Sequence, residues 1–327
     1  MIDFGAFLDS YYAYDFNRPE VERAYTTQSI KHDKPAINLA HIEMKIQTER
    51  MRSRIALQAG DSVERNAVLE PGSSKYIQES YLGVKLGEKT WIDAGIFLGN
   101  IGAESWISKD NWTYTRSLIS DYTPYYSAGV RVDHQINQKQ SVQLQIINGW
   151  QNISDNNDSK AIAMQFKHQF NEDLKLIYNN YFGDEGVVST KLRFRTYHNF
   201  IIQWTTSEKW QHIYSFDIGE QSQQNNDGVD TWFGTALTIR RILNIDQSLA
   251  LRVEYYNDRH EANVITETAN GFQVSAASLN FDQKILLNTL WRTELRGLYS
   301  KNKIYPQGAN SKNRLDGFIV TSLSVWF

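Results

Sequence analysis

The final eleven residues constrain the fold more than any other part of the chain. From Gly317 to Phe327, side chains alternate between two faces. Ile319, Thr321, Leu323, Val325 and Phe327 share one face, and Val320, Ser322, Ser324 and Trp326 share the other. Successive side chains of a β-strand point to opposite faces, so this segment predicts one continuous strand that ends on an aromatic residue. Chain ends usually fray unless they are tied down, so such a strand needs a partner.

Alternation of this kind recurs along the whole chain in about sixteen segments. We place them at 2–16, 36–48, 51–61, 76–86, 90–98, 125–136, 140–151, 159–169, 173–182, 191–205, 208–219, 231–243, 247–257, 271–283, 288–300 and 314–327. The connections alternate between short turns and long polar loops, of which 99–124 is the longest. This pattern is typical of a transmembrane β-barrel with short turns on one side and long loops on the other. We therefore predict a single all-β domain, 1–327, that is an antiparallel barrel of about sixteen strands.

Charged residues occupy one face at the middle of many strands. A Lys or Arg on the lipid face would cost roughly 2–4 kcal/mol at the bilayer midplane, so this face should line a wet interior. A barrel of this size is wide enough for an aqueous channel. The predicted lumen wall comprises Arg52, Arg54, Arg131, Arg193, Arg195, Arg252, Glu254, Arg292, Glu294 and Arg296. The alternative is a large soluble β-protein with a solvated face.

Composition excludes several other classes. The chain has 327 residues, no Cys, a formal net charge of -3 and a mean hydropathy of -0.51. The absence of Cys removes any disulfide framework and any thiolate metal site. Near-neutral charge argues against nucleic-acid binding, which usually requires a basic excess. Met1 leads directly into alternation, so we expect a mature form from which an export signal peptide has been removed.

Aromatic residues concentrate near the ends of the predicted strands. Tyr11, Tyr12, Tyr14, Phe16, Trp150, Tyr181, Phe182, Tyr255 and Tyr256 lie near long loops, and Trp91, Phe170, Trp204, Trp210 and Trp326 lie near short turns. Two such groups predict the aromatic belts that Trp and Tyr form at the two bilayer interfaces. The general preference of aromatic residues for strands is the alternative explanation.

Several stretches carry a family resemblance, most specifically before residue 155. They are 9–19, 54–60, 91–97, 101–105, 109–118, 124–126 and 148–152, the last reading Asn148-Gly149-Trp150-Gln151-Asn152. With these stretches the chain resembles the OmpL-like β-barrel porins of Gram-negative bacteria. The resemblance implies a pore in the bacterial outer membrane but no particular solute. Its implied partners are outer-membrane lipid, lipopolysaccharide and small hydrophilic solutes, with a homo-oligomer or an envelope complex left open.

The last strand also resembles the assembly signal of outer-membrane barrels, in which the final strand closes the barrel against the first. The residues that carry this resemblance are Gly317, Leu323, Val325 and Phe327. The resemblance implies recognition by the barrel assembly machinery.

The loop 99–124 is the main candidate for a functional element. It mixes large apolar residues with the charged residues Glu104, Lys109, Asp110, Arg116 and Asp121. Long apolar loops need a surface on which to pack. In general porins the corresponding loop folds into the barrel, and we expect the same here, with these charged residues at a constriction. The alternative is a loop packed over the outer rim or against a partner subunit.

Other functions have weaker support in the sequence. The wall arginines favour anions, unless neighbouring glutamates pair with them. None of the seven histidines has a Ser or acid partner at a spacing that suggests catalysis, so we predict no enzyme and no cofactor. The run Asp155-Asn156-Asn157-Asp158 has oxygen ligands for calcium, with a solvated loop as the alternative. A barrel plugged by its own loop, serving as a structural subunit, is the alternative to an open pore.

Overall fold

Sixteen antiparallel strands form a closed barrel in the computed structural model, which describes residues 1–186, 193–223 and 227–327. The prediction of about sixteen antiparallel barrel strands is therefore confirmed. The barrel strands are β1 (Ile2–Asp15), β2 (Ala36–Gln47), β3 (Met51–Ala59), β4 (Ile77–Lys85), β5 (Thr90–Leu98), β6 (Tyr126–Asn137), β7 (Gln140–Ile147), β8 (Ala161–Gln169), β9 (Leu174–Asp184), β10 (Phe194–Ser207), β11 (Trp210–Ser222), β12 (Val229–Ile242), β13 (Gln247–Asp258), β14 (Phe272–Leu286), β15 (Thr289–Ser300) and β18 (Leu315–Trp326). The tenth strand was predicted to begin at 191; residues 191 and 192 lie outside the described residues.

Shorter elements lie in three of the long loops. Helix α1 (Asp61–Asn66) follows β3, helix α2 (Leu118–Asp121) lies in the third loop, and β16 (Tyr305–Gln307) pairs with β17 (Ser311–Asn313) in the last loop. Single 3-10 turns occupy Ser74–Tyr76 and Ser108–Asp110. The sequence patterns did not predict these elements, because each is too short to show a periodicity. Among the described residues, no helix is long and apolar enough to cross a membrane.

The last strand closes the barrel. β18 pairs with β15 on one side and with β1 on the other, in a register that places Phe7 opposite Trp326. Phe327 adds two backbone hydrogen bonds with Ala6, at N···O distances of 3.2 Å and 3.3 Å. Closure leaves no unpaired strand edge, which is the requirement for a sheet in lipid. Of the residues in the predicted assembly signal, Leu323, Val325 and Phe327 face outward and are exposed, and Phe16 packs against Gly317.

Alternation sorts the strand side chains into an apolar outer face and a polar inner face. On neighbouring strands β13 and β14, Leu251 and Leu279 are opposite each other and exposed outward. Their neighbours Arg252 and Ser278 are also opposite each other but are buried inside the barrel. An apolar exterior with polar side chains inside is the pattern of a membrane barrel.

The prediction of an aromatic belt near the long loops needs correction. Tyr11, Tyr181 and Tyr256 point inward and are at most 3% exposed, whereas Tyr12 and Phe16 do face outward. Parity along the strand decides this, since residues 11 and 12 must point to opposite faces. Nearness to a strand end was therefore not a sufficient criterion for a belt residue.

The inward aromatic residues form a buried group at the long-loop end, here called the outer aromatic cluster. Its wall members Tyr11, Tyr181, Tyr197, Trp232, Tyr256 and Phe272 pack with Tyr25, Tyr122, Trp150 and Tyr305 from the loops. Tyr122 contacts Tyr256 and Phe272 with ring centroids 5.5 Å and 5.3 Å apart. The outer half of the interior is thus largely filled by loop residues, and this end is narrower than the strand number alone suggests.

Candidate functional site in the barrel interior

The third loop (99–124) lies inside the barrel. Its residues contact inward-facing side chains on several sides of the wall: Asn100 bonds to Gln143 on β7, and Ser108 donates to Asp9 on β1 at 2.9 Å. On the far side, Tyr114 N donates to Asn280 on β14 at 3.1 Å. Contacts to opposite walls require the loop to cross the interior.

Arg252 on β13 is the centre of the loop's attachment. Its side chain is fully buried, and Nη1 donates to Glu104 Oε1 at 3.1 Å and to the carbonyl of Thr115 at 2.6 Å. It also forms ion pairs with Glu254 at 3.1 Å and Glu294 at 3.5 Å. A buried guanidinium is tolerated only when its charge and its donors are satisfied, and here the loop and the wall together satisfy them.

Two further wall arginines hold the loop backbone. Arg292 binds Asp282 through two hydrogen bonds of 2.6 Å and 2.8 Å and donates to the carbonyls of Ser108 and Asn111. Arg296 donates to the carbonyl of Arg116 at 2.8 Å. We call Arg252, Arg292 and Arg296 the arginine cluster. Since each is at most 2% exposed and donates hydrogen bonds to the loop, the cluster fixes the loop and does not face an open channel.

Wall carboxylates complete the attachment from the acceptor side. Glu254 accepts a hydrogen bond from Leu118 N at 2.5 Å, at the start of helix α2. Glu294 accepts from both the amide and the hydroxyl of Thr115, each at 2.7 Å. Loop amides that would otherwise be orphaned inside the barrel are thereby paired.

The five predicted constriction residues of the loop divide into two groups. Glu104, Arg116 and Asp121 are largely buried in contacts, whereas Lys109 and Asp110 are more exposed and pair with each other at 2.7 Å. Arg116 lies 3.9 Å over the ring of Tyr125. The expectation that all five charges face a constriction was thus too broad, because a loop crossing the lumen needs polar anchors of its own.

Burial and pairing act in opposite directions on the two buried acids of the loop. Burial raises the pKa of Glu104, but Arg252 and hydrogen bonds from Ser117 outweigh burial and hold the pKa below its usual 4.5. For Asp121, burial outweighs Arg116, Arg296 and the hydroxyls of Thr27 and Tyr125, and the pKa is raised. Glu104 therefore remains an ionised partner for Arg252 in mildly acidic solution.

A second group of charges lies on β2–β6 and is more accessible. Arg52 binds Asp93 at 2.7 Å and 2.6 Å and also pairs with Asp133. Arg131 shares Asp93 at 2.7 Å. In the same region Arg54 pairs with Glu43 and Glu79, and Lys45 pairs with Glu43. Counting Arg52, Arg54, Arg131 and Lys45 against Glu43, Glu79, Asp93 and Asp133, four cations face four anions, so these eight residues together carry no net charge.

Arg193 and Arg195, the two predicted wall residues of the tenth predicted strand, lie apart from both of these charge groups. Arg195 is 8% exposed and sits at the long-loop end, with its guanidinium carbon 4.8 Å from the ring centroid of Trp150 and 5.2 Å from that of Trp232. Arg193 precedes β10, and its amide donates to Asp184. Both were predicted as lumen-wall residues; Arg195 lies beside the outer aromatic cluster, and β10 begins at Phe194, after Arg193.

Open space remains between the third loop and the wall from β6 to β12. One cavity of about 380 Å³ lies between the loop residue Trp112 and the wall residues Lys175, Gln203 and Gln211. A second, also about 380 Å³, runs along loop residues 98–106 to Lys167, and shares Ala103 and Glu104 with the first. A third, about 360 Å³, leads from Lys167 to the short-turn rim. Shared lining residues place these cavities next to one another along the side of the loop.

Three cations on this wall were not among the predicted site residues. Lys167, Lys175 and Arg240 belong to the inward-facing series of β8, β9 and β12. The alternation of β8, with Gln165 and Lys167 opposed to Met164 and Phe166, contained the signal for their direction. The sequence could not show that these three cations lack acidic partners, since pairing across a barrel depends on the register of neighbouring strands.

In the described residues, no group of three or more His, Asp or Glu side chains is placed to hold a metal ion. The run 155–158 instead supplies local contacts: Asp155 pairs with Lys160, and Asn157 Nδ2 donates to the carbonyl of Asp184 at 2.7 Å.

Comparisons with known proteins agree with this architecture. The family described as "Putative beta-barrel porin-2, OmpL-like" matches residues 1–327. Among solved structures, the chain is similar to an anion-selective porin from Comamonas acidovorans, with a TM-score of 0.67 and 8% identity over 100% of this chain and 99% of that one. It is also similar to OmpT of Vibrio cholerae, with a TM-score of 0.65 and 12% identity over 100% of this chain and 97% of that one. A third similar structure is the outer membrane channel DcaP of Acinetobacter baumannii, with a TM-score of 0.64 and 9% identity over 100% of this chain and 97% of that one. At these identities the structures show a shared fold. No curated protein matches the chain.

Proposed function

The chain belongs to the OmpL-like family of β-barrel porins, and from this membership we propose that it is a passive diffusion channel for small hydrophilic solutes in the outer membrane. The observation that supports a channel most directly is the row of neighbouring cavities between the third loop and the β6–β12 wall, which we propose to be one route. Diffusion along such a route needs no chemical step, and we propose no enzymatic activity.

In this proposal the third loop sets the width of the route. Its backbone is held to the opposite wall by the arginine cluster and by Glu254 and Glu294, so the loop occupies the β13–β15 side of the lumen. Solutes are confined to the β6–β12 side. A loop fixed by this many charged hydrogen bonds acts as a rigid constriction, because charge-assisted bonds are stronger than neutral ones.

Single-channel conductance in a planar bilayer tests the proposal. Replacing residues 107–117 with a Gly-Ser linker of the same span should raise the conductance of each open step, because the loop no longer fills half of the lumen. A control replaces the exposed tip of the last outer loop, 307–313, and leaves Tyr305 of the outer aromatic cluster in place. Unchanged conductance from a folded variant barrel would contradict a constricting role for the third loop.

The outer aromatic cluster supports a second candidate, a barrel closed by its loops that serves as a structural subunit. Tyr122, Phe272 and Tyr256 pack tightly where a solute would enter from the long-loop end. The same conductance measurement separates the two candidates. Discrete steps from the wild-type barrel support the porin, and a folded barrel that never conducts supports the closed structural subunit.

A further inference from the structure

We propose that the route through this barrel selects small anions, and that Lys167, Lys175 and Arg240 are the residues that select them. The inference rests on the proposed porin function and assigns its solute class. It assigns ion selectivity to these three cations and not to the arginine cluster, which holds the third loop.

The three cations lie on one side of the lumen in neighbouring register. Lys175 is opposite Gln169 on β8, two residues from Lys167 on the same face. Diagonal neighbours on one face of a sheet lie about 7–8 Å apart. From Lys175 the row continues through the directly paired Gln203 on β10, and Arg240 is paired with Gln211 on β11.

None of the three cations has an ion pair within the residues that the structure describes. Arg240 donates to the hydroxyl of Ser248 at 3.2 Å and lies 5.9 Å from the ring of Trp112; the nearby carboxylate of Asp282 is paired with Arg292. Lys167 and Lys175 have no side-chain hydrogen bond among these same residues. Each of the three is half-buried, so water and a solute can reach the charge.

The carboxylates along the same route are mostly neutralised. Asp133 pairs with Arg52, Glu104 pairs with Arg252, and Asp110 pairs with Lys109. Glu88, Glu172 and Asp173 lie at the short-turn rim, where they are exposed. Exposed rim charges are screened by salt over about 8–10 Å, whereas charges inside a low-dielectric passage are screened less. Lys167 and Lys175 therefore contribute two positive charges to the passage that no ion pair among the described residues neutralises, although the whole chain is formally negative.

This excess lies where a solute must pass. Lys167 lines both the cavity beside loop residues 98–106 and the cavity that leads to the short-turn rim. Lys175 lines the cavity under Trp112. The same cavity is also lined by Glu104 and Asp110, which are paired, and by the exposed rim residues Glu172 and Asp173. Unpaired cations inside a passage attract anions, and rings of Lys and Arg are the usual selectors in anion pores. Gln203 and Gln211 supply neutral donors beside the charges.

The test is the reversal potential of single channels in a planar bilayer under a KCl gradient. Wild-type channels should pass chloride in preference to potassium. The double substitution Lys167→Gln and Lys175→Gln should lower the chloride-to-potassium permeability ratio by about tenfold at low salt, the lower end of the enrichment expected for a charged cleft. Arg240→Gln in addition should lower the ratio further.

A matched control removes the same charge far from the route. Lys301→Gln with Lys312→Gln alters two exposed lysines of the last loop and should leave the permeability ratio unchanged. Wild-type channels that prefer potassium, or conducting Lys167→Gln/Lys175→Gln channels with the wild-type ratio, would overturn the anion inference alone. A folded wild-type barrel without discrete steps would overturn the porin function and this inference together.

Discussion

At the scale of single residues, charge in this barrel has two separate uses. Arg252 is fully buried among Glu104, Glu254 and Glu294 and holds the third loop to the wall. Lys167 on the opposite side is half-buried and has no ion pair among the described residues. The difference lies in what surrounds each cation, since both occupy inward-facing strand positions. Counting lumen charges without their partners would give the arginines a role in selectivity that their contacts preclude.

Glu104 provides a test of the loop's attachment through its pH dependence. Its pKa is lower in the folded protein than the usual 4.5, so its ionisation stabilises the fold above about pH 4.5. That stabilisation is lost as the pH falls through the lowered value. The raised pKa of Asp121 has the opposite sign, and its contribution is lost as the pH rises. Glu104→Gln should therefore lower the melting temperature at neutral pH and reduce its fall in acid.

Thermal unfolding of the two proteins in detergent, from neutral pH to below pH 4.5, measures this difference. Glu88→Gln, at an exposed short-turn position, is the control and should melt like the wild type at each pH. Parallel pH profiles for wild type and Glu104→Gln would show that the Glu104–Arg252 pair does not contribute to stability as inferred.

At the scale of elements, the last strand and the third loop have complementary tasks. β18 completes the wall, and its outward face is a plain apolar surface of Ile319, Leu323 and Val325. The third loop occupies the lumen because the wall supplies partners for its amides and carbonyls. A 26-residue loop could not stay dry inside a barrel without such partners, since unpaired backbone groups are costly to bury.

Phe327 allows pairing of the last strand to be separated from its recognition during assembly. Its backbone bonds to Ala6, while its side chain is 76% exposed. Phe327→Ala keeps the backbone bonds and removes the aromatic ring. If the last strand is an assembly signal, we expect a several-fold lower yield of folded barrel in cells but unchanged refolding of purified protein into detergent, because the proposed recognition of the Phe327 ring takes place only in cells.

Heat-modifiable mobility on gels, in cells and after refolding, measures both yields. Leu315→Ala, at the other end of the same outward face, is the control. If Phe327→Ala refolds as poorly in detergent as it assembles in cells, the ring contributes to strand packing, and recognition by an assembly machinery is not needed to explain the loss.

At the scale of the whole molecule, the barrel separates an apolar exterior from a polar interior across a single layer of backbone. Leu144 and Gln143 are adjacent in β7 and lie at the same depth on opposite faces. Leu144 is 48% exposed outward, whereas Gln143 lines the route beside the third loop. The barrel is narrowed at the long-loop end by the outer aromatic cluster and in its middle by the third loop.

Arginine substitutions at this pair test the assignment of the two faces. Leu144→Arg should destabilise the barrel in lipid by roughly 2–4 kcal/mol, the cost of a cation on the lipid face near the midplane. Gln143→Arg should be tolerated, because it faces the lumen and Asp133 already accepts a hydrogen bond from Gln143 at 2.6 Å. Urea unfolding in lipid vesicles measures both free energies. Equal destabilisation by the two substitutions would contradict a wet lumen beside β7.

Local sequence patterns were sufficient to predict the wall of the barrel. Alternation depends only on the two-residue period of a strand, so the strand number, the outward face of β18 and the alternation of short and long connections were all available from local pattern. The same parity would have placed Tyr11 inside and Tyr12 outside. The pairing of charges is visible only in the folded chain, because Arg252 contacts Glu104 over a separation of 148 residues and across the lumen. Register and loop packing bring such groups together, and neither has a local signature in the chain.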